Sequence, residues 1–569
     1  MRKPVFFGDR GPWRPTVEAL LSEVGDGARV GVGGFHFTRI PVAQLLELRR
    51  AGRRELTYVA WGGGLALELL LDAGAVARAE LTFSSLDVFG LAPRFRRAVE
   101  QGELELEEWT ALGMISALNA RSRRLPFEPM QPLAGTDLGS GWSRRLEAGA
   151  VDAVPALQLD HVLLHASRAD DAGNVELRGA GGIDRALLFA ADRLLVTVEE
   201  RVAVGELGAP GAFVVPRTFV SGVALAPDGA YPTSSLPCYA ADLRRLRALA
   251  TGGADAPLDA AALRPHPRAR AAAAVPPAAI RRRLSCPGVA ERQQSRTTPA
   301  EIMVCALART VAAGGVATVG SASPLPTVAY LLAKLLWAPD LLLMSFNGGL
   351  VDVGWRPMTL SLAEQLDFAS AAAHAGGDET YHWYYQQGRV THEVVGTAQL
   401  DASGATNNIS IRRPDGSQIR LPGQGGMADV ANLHASFLLY LPRQSRRNTV
   451  QRVDVRSATR VLPGPTTVLT DLGRFDRDAD GLLLTHLHPG VELAQVEERT
   501  GWPLRVADEL QTTPAPTAEE LTALRERVDP LGVRRLDFVP AAERGALIDE
   551  LLDREDELLA AATDGGPPT

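Results

Sequence analysis

Residues 26–50, DGARVGVGGFHFTRIPVAQLLELRR, predict a β-strand, a glycine turn and a helix in immediate succession. Residues 313–340, AGGVATVGSASPLPTVAYLLAKLLWAPD, repeat this order in the second half of the chain. A strand followed by glycines and a helix is the unit from which parallel sheets with helical crossovers are built. We therefore expect an α/β protein in which each half forms an open parallel sheet.

A second pair of segments strengthens the likeness between the halves. Residues 159–179, LDHVLLHASRADDAGNVELRG, and residues 392–410, HEVVGTAQLDASGATNNIS, both predict a strand that ends in a polar turn. Two correspondences in the same order indicate a tandem duplication. We expect two tandem, mutually similar domains with an active-site cleft between them.

The composition changes between the halves. Residues 246–297 are rich in Ala, Pro, Gly and Arg and have no clear amphipathic period, which predicts an exposed linker. The predicted domains are therefore 1–245, the linker 246–297, and 298–569 with helices at its C-terminal end. A chain of 569 residues is long enough for two such domains.

Charge and composition exclude several classes of function. The net charge of −8 argues against a nucleic-acid partner, and the longest apolar runs are too short to span a membrane. The N-terminus, MRKPVFFGDRGPW, lacks the apolar core of a signal peptide. Cys238, Cys286 and Cys305 are scattered without paired spacing. These features predict a cytoplasmic protein without disulfides.

Histidines provide the one pattern that suggests a metal. His486 and His488 are two residues apart, so in a strand they would share a face and could both bind a metal. The sequence offers no third ligand nearby. We therefore predict no metal site.

Residues 338–354, APDLLLMSFNGGLVDVG, are the strongest indication of a functional site. The apolar run 341–344 predicts a short buried strand, which breaks into Phe346, Asn347, Gly348 and a second glycine. Strand ends of this kind are where α/β enzymes place their chemistry. Phe346 has no reactive group. The neutral amide of Asn347 can orient a water or hold a carbonyl oxygen.

The ordered set of motifs resembles the family I coenzyme A transferases, with their two subunits fused into one chain. The α-type half carries the resemblance in GVGGF with Pro41, QGELELEEWTALGMISALNARSRRLPFEPM and LDHVLLHASRADDAGN. The β-type half, nearest to the glutaconate CoA-transferase branch, carries it in VGSASPLP, WAPDLLLMSFNGGLVD, LPGQGGMADVANLHAS, TVLTDLGRFD, LLTHLHPGV and ERTGWPL. The resemblance spans residues 15–240 and 298–535.

The resemblance implies a nucleophile that this chain lacks. Family transferases carry a glutamate at this strand end, which attacks the substrate and becomes a glutamyl-CoA thioester. Phe346 or Asn347 stands there, depending on which flank sets the register. We therefore expect chemistry without that intermediate. A transferase with a relocated nucleophile and a catalytically silent thioester-binding protein are the alternatives.

A second branch of the fold also lacks this glutamate. The chain resembles the ring-cleaving CoA-thioester hydrolases of steroid catabolism, whose catalytic glutamate precedes a Leu-Pro-Phe motif in the α-type half. The spacing here implies Glu108, with Glu107 as the next choice. A glutamate buried against Trp109 would serve as a general acid or base. The alternative is that this acidic run is a solvated face.

Two glycine loops are predicted to bind the substrate. The backbone N–H groups of Gly33, Gly34 and Phe35 follow a strand and can hold an oxyanion, or the motif is a tight turn that needs positive φ. The loop with Gly423, Gly425 and Gly426 resembles the family loop that lies against the thioester. We add Phe346 and Gly348 to the predicted substrate-binding residues.

The aromatic cluster YHWYYQQGR, residues 381–389, either lines an acyl pocket or forms core. The resemblance implies an acyl-CoA or carrier-bound thioester as substrate and a homodimer or larger homo-oligomer. We predict acid–base cleavage of a carbon–carbon or thioester bond in a β-keto thioester, or the reverse cyclisation. No cofactor is expected beyond coenzyme A as part of the substrate.

Overall fold

The computed structural model describes residues 12–131, 133–139, 141–146, 151–251, 267–284, 296–320, 323–345 and 348–563. The chain divides into two compact units. Unit 1 comprises Met1–Pro132, Gly139–Ala274 and Ala373–Thr380. Unit 2 comprises Leu133–Leu138, Val275–Ala372 and Tyr381–Thr569. A short segment from each half of the sequence is thus part of the other half's unit.

Except for β16, the strands of unit 1 precede those of unit 2 in the chain. Those of unit 1 are β1 (Arg29–Val32), β2 (Leu56–Val59), β3 (Val76–Leu81), β4 (Glu105–Glu108), β5 (Phe127–Met130), β6 (Arg144–Arg145), β7 (Asp152–Pro155), β8 (His161–Asp170), β9 (Val175–Leu177), β10 (Arg193–Val202), β11 (Phe213–Val215) and β12 (Gly222–Leu225). Those that follow are β13 (Val316–Thr318), β14 (Leu342–Met344), β15 (Leu350–Val351), β16 (Ala373–His374, within unit 1), β17 (Val394–Gly396), β18 (Gln399–Asp401), β19 (Thr406–Asn407), β20 (Ser410–Arg412), β21 (Gln418–Arg420), β22 (Phe437–Leu441), β23 (Thr449–Val450), β24 (Thr466–Thr470), β25 (Gly473–Asp478), β26 (Gly481–Leu487) and β27 (Val506–Thr512).

The helices alternate with the parallel strands. They are α1 (Val17–Leu21), α2 (Val42–Arg50), α3 (Gly64–Asp72), α4 (Pro93–Glu100), α5 (Ala111–Ser122), α6 (Asp184–Ala190), α7 (Leu243–Thr251), α8 (Pro267–Ala274), α9 (Pro277–Leu284), α10 (Pro299–Ala308), α11 (Pro324–Leu336), α12 (Ala363–Phe368), α13 (Gly377–Thr380), α14 (Met427–Leu433), α15 (Leu493–Arg499), α16 (Ala518–Thr522) and α17 (Ala541–Thr563).

The sheet of unit 1 is parallel through its centre. Its strands run in the order β4, β3, β2, β1, β8, β10, β12, and each neighbouring pair in this order is parallel. Strand β8 is buried along nearly its whole length, as expected where helices cover both faces of a sheet. Its apolar run is therefore continuous and does not alternate with polar residues.

The sheet strands of unit 2 begin in the same way. Strands β13 and β14 are parallel, and a parallel bridge from Ala317 to His392 places the start of β17 beside β13. Strands β17, β22 and β24 continue in parallel, whereas β25 and β26 are antiparallel additions. The predicted α/β class with an open parallel sheet in each half is confirmed.

The predicted linker, residues 246–297, is described in part, and its bounds stay a prediction. It overlaps α7 and contains α8 and α9, while 252–266 and 285–295 lie outside the described residues. Ile280 and Leu284 are buried one helical turn apart in α9, which packs against α17. Two apolar positions are too few to reveal a helical period in a sequence rich in alanine and arginine.

Across the residues that the structure describes, no helix combines the length and the apolar character needed to cross a membrane.

Candidate functional site

Strand β4 separates its glutamates onto two faces. Glu105 and Glu107 are two residues apart in the strand, so their side chains lie on the same face, and both contact Arg78. The Arg78 Nη2 to Glu107 Oε2 distance is 3.4 Å. Burial raises the pKa of Glu107, although the positive charge of Arg78 opposes this. Glu108 lies on the opposite face, and only 8% of its surface is exposed.

Two tryptophans fix the chain around Glu108. The indole N–H of Trp142 donates to the Glu108 carbonyl oxygen at 3.2 Å, and its ring stacks on Trp109 at 4.5 Å between centroids. Thr110 then caps α5 by accepting from the Gly113 N–H at 3.0 Å. Glu108 therefore ends a parallel strand just before a helix, the position at which α/β proteins present ligand-binding groups.

The backbone donors of the first glycine loop are already used within the protein. Gly33 N–H donates to the Leu163 carbonyl oxygen at 3.0 Å, and Gly34 N–H donates to Asp184 Oδ1 at 2.7 Å. Phe35 N–H donates to the Thr38 carbonyl oxygen at 2.9 Å. These bonds organise a tight turn and leave no free N–H there for an oxyanion.

Sterics explain why this turn needs glycine. Gly34 has φ of +80°, and a Cβ there would lie 2.6 Å from the Arg39 carbonyl oxygen. A Cβ at Gly33 would lie 2.1 Å from Leu164 Cδ2. The interpretation as a turn that needs positive φ thus accounts for Gly34. Substrate binding by Gly33, Gly34 and Phe35 stays a prediction.

The second glycine loop has a different hydrogen-bond pattern. Gly423 N–H donates to the Asn408 carbonyl oxygen at 2.8 Å, and Gly423 and Gly425 both have positive φ. Within the described part of the chain, no acceptor takes the N–H of Gly425 or Gly426. These two predicted substrate-binding residues therefore have donors to offer, just before α14.

The strand end after β14 is described only in part. Ser345 N–H donates to the Leu350 carbonyl oxygen at 2.9 Å, and Leu350 N–H returns a bond of 3.2 Å, so the chain turns back tightly into β15. Gly348 is buried within this turn, with φ of +80°. Phe346 and Asn347 lie outside the described residues, so the roles predicted for them stay predictions.

The structure reveals a buried cluster that the sequence interpretation missed. The Tyr385 hydroxyl donates to Glu393 Oε2 at 2.7 Å, and the Tyr385 ring meets His434 edge to face at 4.5 Å. His434 Nε2 lies 3.6 Å from Glu393 Oε2. Burial raises the pKa of Glu393 to about 8 and lowers that of His434 to about 3. Both groups are therefore neutral at pH 7.

A signal for this cluster was present in the sequence. Glu393 interrupts the apolar strand HEVVG, where a charged side chain is unexpected on a buried sheet. The aromatic cluster supplies its partner, because Tyr381–Tyr385 is a π-helical turn in which the Tyr381 and Tyr385 rings stack at 4.2 Å. Turns of this kind are frequent at functional sites.

Unit 1 contains a related cluster with more hydrogen bonds. His165 Nε2 lies 2.6 Å from Glu199 Oε1, and the Tyr239 hydroxyl donates to the same oxygen at 2.5 Å. The Asp228 N–H donates to Glu199 Oε2 at 2.7 Å. Burial alone would raise the pKa of Glu199, but these bonds outweigh burial and its pKa is lowered. His165 also bonds Thr197 Oγ1, at 3.0 Å.

The histidine pair His486 and His488 is engaged in ordinary contacts. His488 lies within hydrogen-bond distance of the Thr470 carbonyl oxygen and of Thr513 Oγ1, at 2.8 and 2.9 Å. The described segments hold no group of three or more His, Cys, Asp or Glu side chains arranged to bind a metal.

Comparison with known proteins places this fold in a family. Residues 14–226 match the family described as coenzyme A transferase. One 3-oxoadipate CoA-transferase subunit of Pseudomonas knackmussii is 34% identical over 245 residues, which cover 40% of this chain and 91% of that protein. The chain therefore belongs to the coenzyme A transferase family.

Other relatives differ in their chemistry. The cholesterol ring-cleaving hydrolase IpdA subunit of Mycobacterium tuberculosis is 31% identical over 246 residues, covering 40% of this chain and 84% of that protein. An acyl-CoA transferase of Escherichia coli O157:H7 superposes with a TM-score of 0.62 at 15% identity, covering 89% of this chain and 95% of that one. The latter likeness shows the shared fold. The relatives of this chain thus include transferase subunits and a subunit named a hydrolase.

Proposed function

We propose that this chain is an enzyme that acts on an acyl-CoA thioester, or a carrier-bound one, by general acid–base chemistry with Glu108 as the proton-transfer group. The observation that carries the proposal is the position of Glu108. It is buried at the carboxyl end of β4, on the face away from Arg78, whereas Glu105 and Glu107 are held by that arginine. The reaction is hydrolytic cleavage of a carbon–carbon or thioester bond in a β-keto thioester, or the reverse cyclisation.

Two further points support acid–base chemistry. The relative named a cholesterol ring-cleaving hydrolase is 31% identical over 246 residues. The resemblance implies that Phe346 or Asn347, neither of which has a carboxylate, stands where family transferases carry their nucleophile. A carboxyl group positioned by its backbone can move a proton to or from a substrate, and such groups typically contribute about 10²–10⁴-fold to the rate.

A second candidate is acyl-CoA:carboxylate CoA transfer with a nucleophile elsewhere in the chain. The 3-oxoadipate CoA-transferase relative, at 34% identity over 245 residues, favours it. This reaction would form a covalent glutamyl or aspartyl thioester, whereas acid–base hydrolysis would not. The two candidate reactions therefore differ in whether a covalent thioester forms on the protein, which mass spectrometry can detect. Both use coenzyme A only as part of the substrate, and a homo-oligomer is proposed for either.

The test combines intact-protein mass spectrometry with assays of coenzyme A release and of carbon–carbon cleavage. The protein is incubated with a panel of β-keto and simple acyl-CoAs. We expect turnover without an adduct, reduced about 10²–10⁴-fold in Glu108→Gln. Glu107→Gln, one residue away on the opposite face, is the matched control and should keep most activity. A CoA-sized adduct on the wild type would support transfer instead. Tight binding without turnover of any thioester would identify a silent binding protein.

A further inference from the structure

Glu393 lies beside the carboxyl ends of the first two strands of unit 2. The bridge between Ala317 and His392 brings Glu393 level with Thr318, the last residue of β13. Thr318 in turn pairs with Met344, the last residue of β14. Open parallel sheets bind ligands outside the carboxyl ends of their strands. The position of this buried carboxyl group therefore points to a ligand.

Only one oxygen of Glu393 is occupied. Tyr385 donates to Oε2, and no donor within the described part of the chain reaches Oε1. Oε1 lies on the side of Gly320, where an added Cβ would make an ordinary van der Waals contact with it at 3.9 Å. Because Tyr385 donates to Oε2, the proton of the neutral acid lies on Oε1, the oxygen that no described donor reaches.

His434 supplies a second, independent observation. Both of its ring nitrogens are buried without a hydrogen-bond partner among the described residues, and its side chain is fully enclosed. The 3.6 Å separation from Glu393 Oε2 is too long for a hydrogen bond. Buried polar groups without partners are rare and costly, and they recur at catalytic and ligand sites. The cluster is therefore incomplete as it stands.

The surroundings of Glu393 decide which ligand group fits. The titratable side chains that face it are Tyr330, Tyr381, Tyr385, Asp429 and His434. None of these is a lysine or arginine, and Arg460, whose charge acts on His434, donates to the carbonyl oxygens of Ala431 and His434. Asp429 would repel a phosphate or carboxylate of the ligand. A neutral carbonyl oxygen has no such penalty and accepts a hydrogen bond from a protonated carboxyl group.

We propose that Glu393 is a neutral carboxylic acid of a carbonyl-binding site in unit 2, where it donates a hydrogen bond from Oε1 to a carbonyl oxygen of the acyl thioester. The assignment rests on the proposed function, because that function supplies the thioester. Tyr385 and His434 position the acid and do not touch the ligand. Carboxyl groups kept neutral by apolar surroundings are known to act as hydrogen-bond donors to carbonyl oxygens.

Infrared difference spectroscopy tests the proposal at the atom concerned. A neutral carboxyl group gives a C=O stretching band that a carboxylate lacks. We expect such a band at pH 7 in the wild type and its loss in Glu393→Gln, which assigns it. Addition of acetoacetyl-CoA, a β-keto acyl-CoA probe, should shift the band because the hydrogen bond to the probe changes. Tyr385→Phe, which removes the hydrogen bond to Oε2, should shift it without ligand.

Binding of the same probe gives a readout that does not depend on the band. Glu393→Met removes the donor and should weaken binding about tenfold, the usual worth of one hydrogen bond. Glu393→Gln keeps an N–H donor and should bind within about twofold to threefold of the wild type. Thermal unfolding of each variant verifies that it is folded. If Glu393→Met does not fold, the infrared experiment on the wild type and on Glu393→Gln decides alone.

The outcomes separate the two proposals. A wild type that binds and turns over the probe without any shift of the band, or a folded Glu393→Met variant that binds normally, would overturn the carbonyl-binding site and leave the proposed function intact. A wild type that neither binds nor turns over any acyl-CoA in the panel would overturn the proposed function, and the carbonyl-binding site would fall with it.

Discussion

Unit 1 and unit 2 each bury a histidine, a glutamate and a tyrosine together, but with different hydrogen bonding. In unit 1, Glu199 accepts from Tyr239 and the Asp228 N–H and lies 2.6 Å from His165. In unit 2, Glu393 accepts one bond from the residues that the structure describes, that of Tyr385. The first arrangement lowers the pKa of its glutamate and the second raises it. The same residue types therefore hold a charged carboxylate in one unit and a neutral acid in the other.

The origin of the unit 2 cluster can be located in the repeated strands. His161 of β8 pairs with Val30 of β1, and His392 pairs with Ala317 of β13, so the two histidines hold equivalent places. The next residue is Val162 in unit 1 and Glu393 in unit 2. Val162 is fully buried, as a central strand requires. One position of the repeat is thus apolar in one unit and ionisable in the other.

This difference teaches how to separate structural from functional buried polar groups. A cluster in which every buried polar group has a hydrogen-bond partner contributes to stability, because removing one member leaves the others without a partner. A cluster in which buried polar groups lack hydrogen-bond partners lowers stability. Such a cluster is expected where a bound ligand supplies the missing hydrogen bonds. By this criterion the His165 cluster is structural, and the Glu393 cluster is the candidate for function.

The largest effect is expected for Val162→Glu, which places a carboxyl group in unit 1 at the position where unit 2 has Glu393. Val162 is fully buried, so an added carboxyl group would lose its hydration, and we expect a loss of about 3–5 kcal/mol in the free energy of unfolding. Val162→Met, with similar length and no polar group, should lose about 1–3 kcal/mol. Urea unfolding of both variants measures the difference. Equal losses would show that volume, not burial of the acid, is responsible.

The two glutamates themselves provide the next test. Glu199→Gln replaces a carboxylate that accepts several bonds, and we expect a loss of about 2–3 kcal/mol in stability at pH 7. Glu393→Gln replaces a neutral acid by a neutral amide, so its stability should remain within about 1 kcal/mol of the wild type. Thermal and urea unfolding under the same conditions compare them. A larger loss in Glu393→Gln would reverse the assignment of structural and functional roles.

The fold could be predicted from the sequence because its signals are local. The glycine turn after β1 and its counterpart after β13 indicated strand, turn and helix, and the structure has β1 with α2 and β13 with α11. Glu108 was distinguished from Glu107 only by spacing. The structure separates them through strand alternation, because Arg78 on the neighbouring strand selects one face.

The sequence showed the unexpected charge of Glu393 and the aromatic cluster, but it could not show that they meet His434, which lies far along the chain. Tyr385 lies in a π-helical turn, Glu393 directly precedes β17 and His434 directly follows α14, and only folding brings the three together. Likewise, no sequence pattern reveals that the N–H groups of Gly33 and Gly34 are used internally. Hydrogen-bond satisfaction depends on tertiary packing, which a periodicity does not record.

The pH dependence of stability should have opposite signs for the two glutamates. Between pH 4.5 and about 8, an unfolded Glu393 ionises while the folded one stays neutral, so the wild type loses stability as pH rises, by up to about 1.4 kcal/mol per pH unit. Glu393→Gln should remove this slope. Glu199 has a lowered pKa, so its contribution is present above its unfolded pKa and is lost as pH falls through the folded value. Urea unfolding from about pH 3 to about pH 9 covers both pH windows, and identical slopes in wild type and Glu393→Gln above about pH 5 would contradict a neutral Glu393.

The equivalent histidines allow the finest comparison between the units. His392 lies within hydrogen-bond distance of the Thr310 carbonyl oxygen and of Thr391 Oγ1, at 2.8 and 2.7 Å, whereas His161 Nδ1 is buried with no partner in the described residues. We expect His392→Leu to lose about 1–2 kcal/mol, because it leaves buried groups unsatisfied. His161→Leu should be nearly neutral, since it replaces an unpaired polar atom by an apolar group. Measurement at about pH 8 keeps both histidines uncharged, because burial lowers both pKa values. Equal losses would show that hydrogen-bond saturation does not govern these buried positions, and the criterion that singles out Glu393 would lose its support.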